Sequence, residues 1–387
     1  MNYDFDTVIS RRGTDCVKWD HYGSDAIPMW VADMDFKAAP AIMEALQKRL
    51  NHGIFGYPMP TDRYFSAITN WFSRRHGWSF TLEQIIPTTG VIAAYSACIK
   101  AMTEPGDKVI LQTPVYNCFF PAVKNNRCIE SRNNLIYKDG SYSIDFEDLE
   151  RRAADPAAKV LLLCNPHNPV GRVWTREELT RIGEICLRHD VFVISDEIHC
   201  ELTYPGHDYT PFGSLGGEFA AHSATCCSPT KAFNIAGIQI ANIVAADPEI
   251  RHRIDRAINE NECCDVNLFG IEALIAAYNE SEDWLDELRK YLRANADEVY
   301  RRLGAELPDI PVLPLEGTYL MWLDCTALGK GLWEYLSEEA GVVLSDGAIY
   351  GLEGFLRLNI ACPRTTLDEG LGRLIQGIYQ FKQQNNQ

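Results

Sequence analysis

Five short apolar runs punctuate the middle of the chain: Lys108 to Gln112, Val160 to Cys164, Phe192 to Asp196, His222 to Cys227 and Ile240 to Ala245. Stretches of helical periodicity separate them, and this alternation predicts parallel βαβ units. Between the second and third runs, Thr175 and Glu178 form a capping box, and Leu179, Ile182, Ile185 and Cys186 follow on one helical face. Thr88-Thr89-Gly90-Val91 opens a further helical pattern through Ala94, Ala97 and Ala101. The expected core is an α/β fold with a doubly wound, mostly parallel sheet.

After Asp283 the pattern changes. Leu285, Leu288, Leu292, Ala296, Val299 and Leu303 predict one long helix, and strands follow around Tyr319 to Leu323 and Leu356 to Ile360. A final helix carries Leu371, Leu374, Ile375 and Ile378. These pieces suit a smaller α+β domain onto which the N-terminal stretch folds back. The expected division is a large domain of residues 49–284 and a small domain built from 1–48 and 285–387.

At 387 residues the chain exceeds what one hydrophobic core usually supports, which agrees with two domains. Hydrophobic residues at 46% and charged residues at 23% exclude a disordered or fibrous chain. A net charge of -17, with no Lys/Arg-rich run to offset it locally, repels nucleic-acid phosphates and anionic membranes. Neither is an expected partner. The 13 cysteines, among them Cys98, Cys164, Cys186 and Cys200, are odd in number and lack the spacing of a disulfide framework. They read as small buried thiols in a reducing compartment. Met1 to Asp6 is acidic, with no apolar targeting segment, and no apolar stretch is long enough to span a bilayer, so the expected location is the cytoplasm.

Three segments stand at the ends of apolar runs: Asn165-Pro166-His167-Asn168-Pro169-Val170-Gly171, Ser195-Asp196-Glu197 and Ser228-Pro229-Thr230-Lys231. Ligands of doubly wound sheets sit outside the carboxyl ends of the strands, so the three meet at one edge. An amine, a carboxylate and an amide converging there are what pyridoxal phosphate chemistry needs. Lys231 captures the cofactor aldehyde, Asp196 keeps the pyridine nitrogen protonated, and Asn168 bonds the ring oxygen. Singly, each has a plainer reading: a helix cap with an acidic first turn, a solvated loop lysine, a turn. The ordered set outweighs them. A nucleophilic lysine must be partly neutral, and a pKa depression of about 3 units corresponds to ~4 kcal/mol, so Lys231 is expected to be buried.

The cofactor phosphate needs N–H donors, and the helix start at Thr89-Gly90-Val91 is a natural anion site to which Ser228 adds a hydroxyl. Tyr116, in Thr113-Pro114-Val115-Tyr116, can stack on the pyridine ring or simply pack. Arg357, in Leu356-Arg357-Leu358-Asn359, fits a substrate α-carboxylate, and a structural ion pair serves equally well as an explanation of this segment.

These residues resemble the fold type I pyridoxal phosphate enzymes of the aspartate-aminotransferase superfamily, over nearly the whole chain. More narrowly, Met29-Trp30-Val31-Ala32-Asp33-Met34-Asp35-Phe36, Phe55-Gly56-Tyr57-Pro58, Ser195-Asp196-Glu197-Ile198-His199 and Lys231-Ala232-Phe233-Asn234-Ile235-Ala236-Gly237 resemble the MalY/PatB type of cystathionine β-lyase, or cysteine-S-conjugate lyase. The resemblance implies that Lys231 carries the cofactor, Asp196 pairs with its ring nitrogen, Asn168 bonds its ring oxygen and Tyr116 stacks on it. It further implies that Gly90, Val91 and Ser228 hold the phosphate, that Tyr57 reaches it from a neighbouring subunit of a homodimer, and that Arg357 binds the substrate carboxylate. Two positions depart from the aminotransferase pattern: His199 replaces a cofactor-binding tyrosine, and Gln239 replaces a phosphate-binding arginine.

The expected activity is β-elimination from a small sulfur amino acid such as cystathionine, giving a thiol, pyruvate and ammonia, with an aminotransferase as the alternative. Ser228-Pro229-Thr230-Lys231 also matches the Ser-x-x-Lys of serine β-lactamases, but the Ser-Asp-Asn and Lys-Thr-Gly strings that accompany it there are absent. Asp196, Glu197 and His199 lack the helical spacing of zinc hydrolases, so no metal is expected. A regulatory module binding the cofactor or a protein partner is the non-enzyme reading; no helix-turn-helix segment is recognisable, and the acidic balance opposes DNA contact.

Overall fold

A computed structural model describes residues 3–260 and 263–385. Its centre is a seven-stranded sheet of β1 (Ile85–Thr88), β2 (Lys108–Leu111), β3 (Ile129–Arg132), β4 (Ala158–Cys164), β5 (Phe192–Asp196), β6 (Ser223–Cys227) and β7 (Ala241–Val244), in the spatial order β1-β7-β6-β5-β4-β2-β3. Strands β2 to β6 are mutually parallel. β7 runs antiparallel to both β6 and β1. The connection from β6 to β7 explains this reversal: its only helical element is the single turn Ala236–Ile238, whereas a parallel return requires a longer crossover, usually a helix.

Alternate residues of the strands feed two separate cores. Val109, Leu111, Leu162 and Ile194 pack with Ala94 and Cys98 of the helix Val91–Met102. Ile110, Leu161, Leu163 and Val193 face the other way, onto Leu179, Ile182 and Cys186 of the helix Arg176–Arg188. Burial on both faces accounts for the unbroken apolar runs. That second helix starts as its sequence dictates: Thr175 Oγ1 accepts the Glu178 N–H at 3.2 Å, and Glu178 Oε2 accepts the Thr175 N–H at 2.8 Å.

Beyond the long helix Glu282–Glu306, strands β8 (Leu320–Asp324), β9 (Ser345–Asp346) and β10 (Phe355–Asn359) form a small antiparallel sheet in the order β8-β10-β9. The N-terminal stretch returns to this part, pairing Ile27–Pro28 in parallel with Val342–Val343. The largest core joins Trp71 and Phe233 to Leu285, Leu288 and Leu292 of the long helix, Leu358 of β10, and Leu371, Leu374 and Ile378 of the last helix, Arg364–Asn385. Among the described residues no helix is long and apolar enough to cross a membrane.

Candidate active site

The carboxyl ends of β1, β2, β4, β5 and β6 open onto one cavity of about 400 Å³. Its wall contains Thr89, Gly90 and Val91 after β1, Tyr116 after β2, Asn168 after β4, Asp196 and His199 after β5, and Thr230 and Lys231 after β6, with Ala32 and Gln239 completing it. Convergence follows from topology, because parallel strands release their chains at a common edge. Gly90 precedes the helix Val91–Met102, and Gly90, Val91 and Ile92 all line the cavity, so the start of the helix lies at its edge. A larger cleft of about 960 Å³ on the far side of Thr88 and Thr89, with Lys100, Arg127 and Arg253 in its wall, brings together none of Lys231, Asp196 and Asn168.

Lys231 is half-buried and forms part of the cavity wall, so it is less enclosed than the buried lysine the sequence led to expect. Its Nζ donates to the Ala32 carbonyl at 2.6 Å. Loss of hydration, reinforced by the positive charge of Arg357, lowers its pKa from 10.5 to about 8. Asp196 is buried, and its carboxylate accepts one N–H, that of Ile198 at 3.1 Å. Burial, together with the negative charge of Glu197, raises its pKa to about 7. An acid so placed gains most from a cation opposite it, which is the role a protonated ring nitrogen would fill. Burial and the charges of Lys231 and Arg357 take the pKa of His199 down to about 3, which favours the neutral ring, and among the described residues its Nδ1 has no hydrogen-bond partner.

Arg357, on β10, reaches the same place from the small sheet. It is 4% exposed and donates to Asn168 Oδ1 at 3.0 Å and to the Trp30 carbonyl at 2.7 Å, with Ser345 Oγ at 3.3 Å. Its guanidinium lies 4.8 Å from the Tyr350 ring centroid. Among the described residues no carboxylate pairs with it, so the ion-pair explanation has no partner, and its Nε is buried without a hydrogen bond. A buried cation held only by neutral acceptors is suited to an incoming carboxylate.

Ser228 stands behind the wall. Its hydroxyl is buried, donates to the Ile240 carbonyl at 2.6 Å and shares a 2.7 Å hydrogen bond with Thr230 Oγ1. Thr230 and Thr89 line the cavity instead. Tyr57 is 96% exposed and absent from the cavity wall of its own chain. Sequence reasoning included Thr89 in the helix start but passed over the Ala32 carbonyl and Thr230; Thr230 stands in plain sight beside Lys231, whereas a backbone acceptor leaves no sequence signal. The donor set fits pyridoxal phosphate: an amine of lowered pKa, a buried carboxylate in no salt bridge among the described residues, an amide, and a helix start.

The aminotransferase class I and II family matches residues 24–374. Over 381 residues the chain is 45% identical to cystathionine beta-lyase PatB of Bacillus subtilis (strain 168), covering 96% of this chain and 98% of that protein. It is 34% identical over 389 residues to protein MalY of Escherichia coli (strain K12), covering 97% and 99%. The crystal structure of cystalysin from Treponema denticola, which contains a pyridoxal 5'-phosphate cofactor, superposes with a TM-score of 0.95 at 38% identity, covering 98% of this chain and 100% of that one.

Proposed function

We propose, from the premise that the chain belongs to the aminotransferase class I and II family, that it is a pyridoxal phosphate-dependent carbon–sulfur β-lyase. It acts on cystathionine or a related cysteine S-conjugate, and with water the substrate yields a thiol, pyruvate and ammonia. The observation that carries this reading is the single cavity shared by Lys231, Asp196, Asn168 and a neutral His199. The likeness to PatB favours a lyase over an aminotransferase.

When bound, pyridoxal phosphate supplies an electron sink for negative charge at the carbon that bears the amino group. The chain's own residues do the rest. Arg357 receives the substrate α-carboxylate through its guanidinium fork. Lys231, with its pKa lowered to about 8, is partly neutral near neutral pH and takes the α-proton. Asp196, ionised opposite a cation, would hold a proton on the ring nitrogen. Asn168 would orient the ring oxygen, Tyr116 would cover the ring face, and the N–H groups at Gly90 and Val91, with Ser228 as a further donor, would bind the phosphate. Loss of the proton precedes cleavage of the β C–S bond, and the sulfur leaves with the bonding pair.

On this reading the large domain, 49–284, carries the cofactor residues and the small domain, 1–48 with 285–387, carries Arg357. The enzyme works in the cytoplasm as a homodimer, with the exposed Tyr57 reaching the partner's phosphate site. The test is pyruvate release from cystathionine, cysteine and S-alkyl cysteines without a keto-acid acceptor, with borohydride trapping of the cofactor and mapping of the labelled lysine. Pyruvate from at least one thioether and label on Lys231 are expected. Amino transfer without pyruvate, or label on another lysine, overturns the proposal.

A further inference from the structure

The segment from Met29 to Phe36 is a strap between the two halves of the molecule. On the small-sheet side, the Asn359 N–H donates to the Met29 carbonyl at 2.9 Å, Asn359 Nδ2 to the Val31 and Asp33 carbonyls at 2.5 and 2.7 Å, and the Asp35 N–H to the Ala361 carbonyl at 2.9 Å. On the large-sheet side, Asn234 Nδ2 donates to the Met34 and Phe36 carbonyls at 3.0 and 2.7 Å, and its Oδ1 accepts the Met34 N–H at 3.0 Å. Between these anchors, two alternate carbonyls meet site residues. The Trp30 carbonyl accepts from Arg357 at 2.7 Å, and the Ala32 carbonyl accepts from Lys231 at 2.6 Å and from Tyr319 Oη at 3.0 Å.

Four charges lock the strap from behind. Arg11 spans both of its carboxylates, reaching Asp33 Oδ2 at 2.6 Å and Asp35 Oδ1 at 2.7 Å, and also donates to the Met34 carbonyl at 3.1 Å. Lys18, 1% exposed, pairs with Asp35 Oδ2 at 2.8 Å and lies 3.6 Å from Asp33. Trp19 Nε1 donates to Asp35 Oδ1 at 2.8 Å. An ion cluster with two buried members, here Lys18 and Asp35, is costly to assemble and is a poor source of stability, but it fixes geometry well when every member is hydrogen-bonded. Here every member is, and the backbone it fixes is the backbone that touches the amine and the guanidinium.

We infer that Arg11, Lys18, Asp33 and Asp35 are positioning residues for the reaction: their charge cluster sets the place of the Trp30 and Ala32 carbonyls, and through these the orientation of Arg357 and Lys231. The inference rests on the function proposed for those two side chains. Loosening the strap misdirects the guanidinium that binds the substrate carboxylate and the amine that captures the cofactor, so substrate binding and cofactor capture suffer together.

Arg11→Gln tests this with little risk to folding, because Arg11 is partly exposed, and Asp35→Asn tests it from the buried side. Two quantities are measured on each variant: KM for the best thioether substrate of the holoenzyme, and the rate constant for pyridoxal phosphate capture by the apoprotein, followed by absorbance. Fivefold or larger increases in KM and decreases in the capture rate constant are expected in Arg11→Gln, with a partial return in Arg11→Lys. A merely structural lesion lowers the active fraction but leaves KM and the capture rate constant of the folded protein alone. If both quantities match wild type in Arg11→Gln, the inference is overturned, whether or not Asp35→Asn folds. A wild-type protein that neither releases pyruvate nor captures the cofactor would instead overturn the functional reading beneath it.

Discussion

Replacing Arg357 by methionine separates a binding role from a structural one, because the structure predicts opposite effects on activity and stability. The buried guanidinium is held by Asn168 Oδ1, the Trp30 carbonyl and Ser345 Oγ, with no carboxylate among its described partners. Desolvating such a cation costs several kcal/mol, and an apolar side chain of similar length removes that cost. Against this gain, Asn168 Oδ1 loses its partner, worth about 1–3 kcal/mol. The Trp30 carbonyl does not go bare, since it still accepts from Ser345 Oγ at 2.9 Å. The balance leaves the apoprotein as stable as wild type or more so. Catalysis moves the other way. Hydrogen bonds to a charged group contribute about 1.5–3 kcal/mol each, so the loss of a bidentate pair removes about 3–6 kcal/mol. At about 1.4 kcal/mol per factor of ten, kcat/KM falls by about 100- to 10,000-fold. Most of the loss should be in KM, because the carboxylate is held in ground and transition states alike. Initial rates of pyruvate release over a substrate series, with thermal melts of the same preparations, decide the matter. A marked drop in melting temperature with wild-type KM on the remaining folded enzyme would show that Arg357 is structural and that the reasoning is wrong.

Asp196→Asn should bind the cofactor, yet lose about 100-fold or more of its elimination rate, the scale on which removal of a preorganised charge acts; near-normal turnover would make Asp196 a mere cap for the chain after β5. Burial raises both Asp196 and Glu197 to about 7, from 3.8 and 4.5, so between about pH 4 and pH 7 these two groups hold more protons in the folded apoprotein than in the unfolded chain, while His167 and His199, lowered to about 4 and about 3, hold fewer. The stability that Asp196 contributes is lost as the pH rises from about 4 to about 7, so Asp196→Asn should gain stability relative to wild type over that range, and a difference in melting temperature that stays constant from pH 4 to pH 8 would refute the assignment. Tyr57, 96% exposed, is tested in a mixed dimer of a Tyr57→Phe subunit and a Lys231→Ala subunit. The one competent lysine then sits in the site served by the intact Tyr57, so cofactor affinity there should equal wild type, and a weakened affinity would place Tyr57 in its own subunit's pocket.

What could be read from the sequence was governed by burial. The apolar runs at β2, β4, β5, β6 and β7 agree with the strands to within two residues, because strands covered on both faces are largely apolar. β1, Ile85–Thr88, and β3, Ile129–Arg132, gave no such signal. They are the two edges of the sheet, and one carries Pro87 while the other carries Glu130 and Arg132, the residues by which edge strands avoid further pairing. The direction of β7 was hidden for another reason, since it depends on whether the loop bearing Lys231 contains a crossover helix.

In the site, side chains were legible wherever their chemistry was unusual for their position, as with an amine or a carboxylate at a strand end. Their orientation was not. Ser228 and Thr230 are chemically alike and two residues apart, and only the packing of Ile240 decides that one hydroxyl turns inward to a carbonyl while the other residue lines the cavity. The strap shows the limit most sharply. Every residue has a carbonyl, so nothing in Val31-Ala32-Asp33 distinguishes the acceptor that meets Lys231. The charges behind it are no easier to read, because Arg11 and Lys18 lie far along the chain from Asp33 and Asp35 and resemble solvated surface residues until the N-terminal stretch folds back. Lys18 at 1% exposure is the physical sign that they are not: a lysine is desolvated so completely only where its partners are fixed, and here those partners hold the backbone that orients the amine of Lys231.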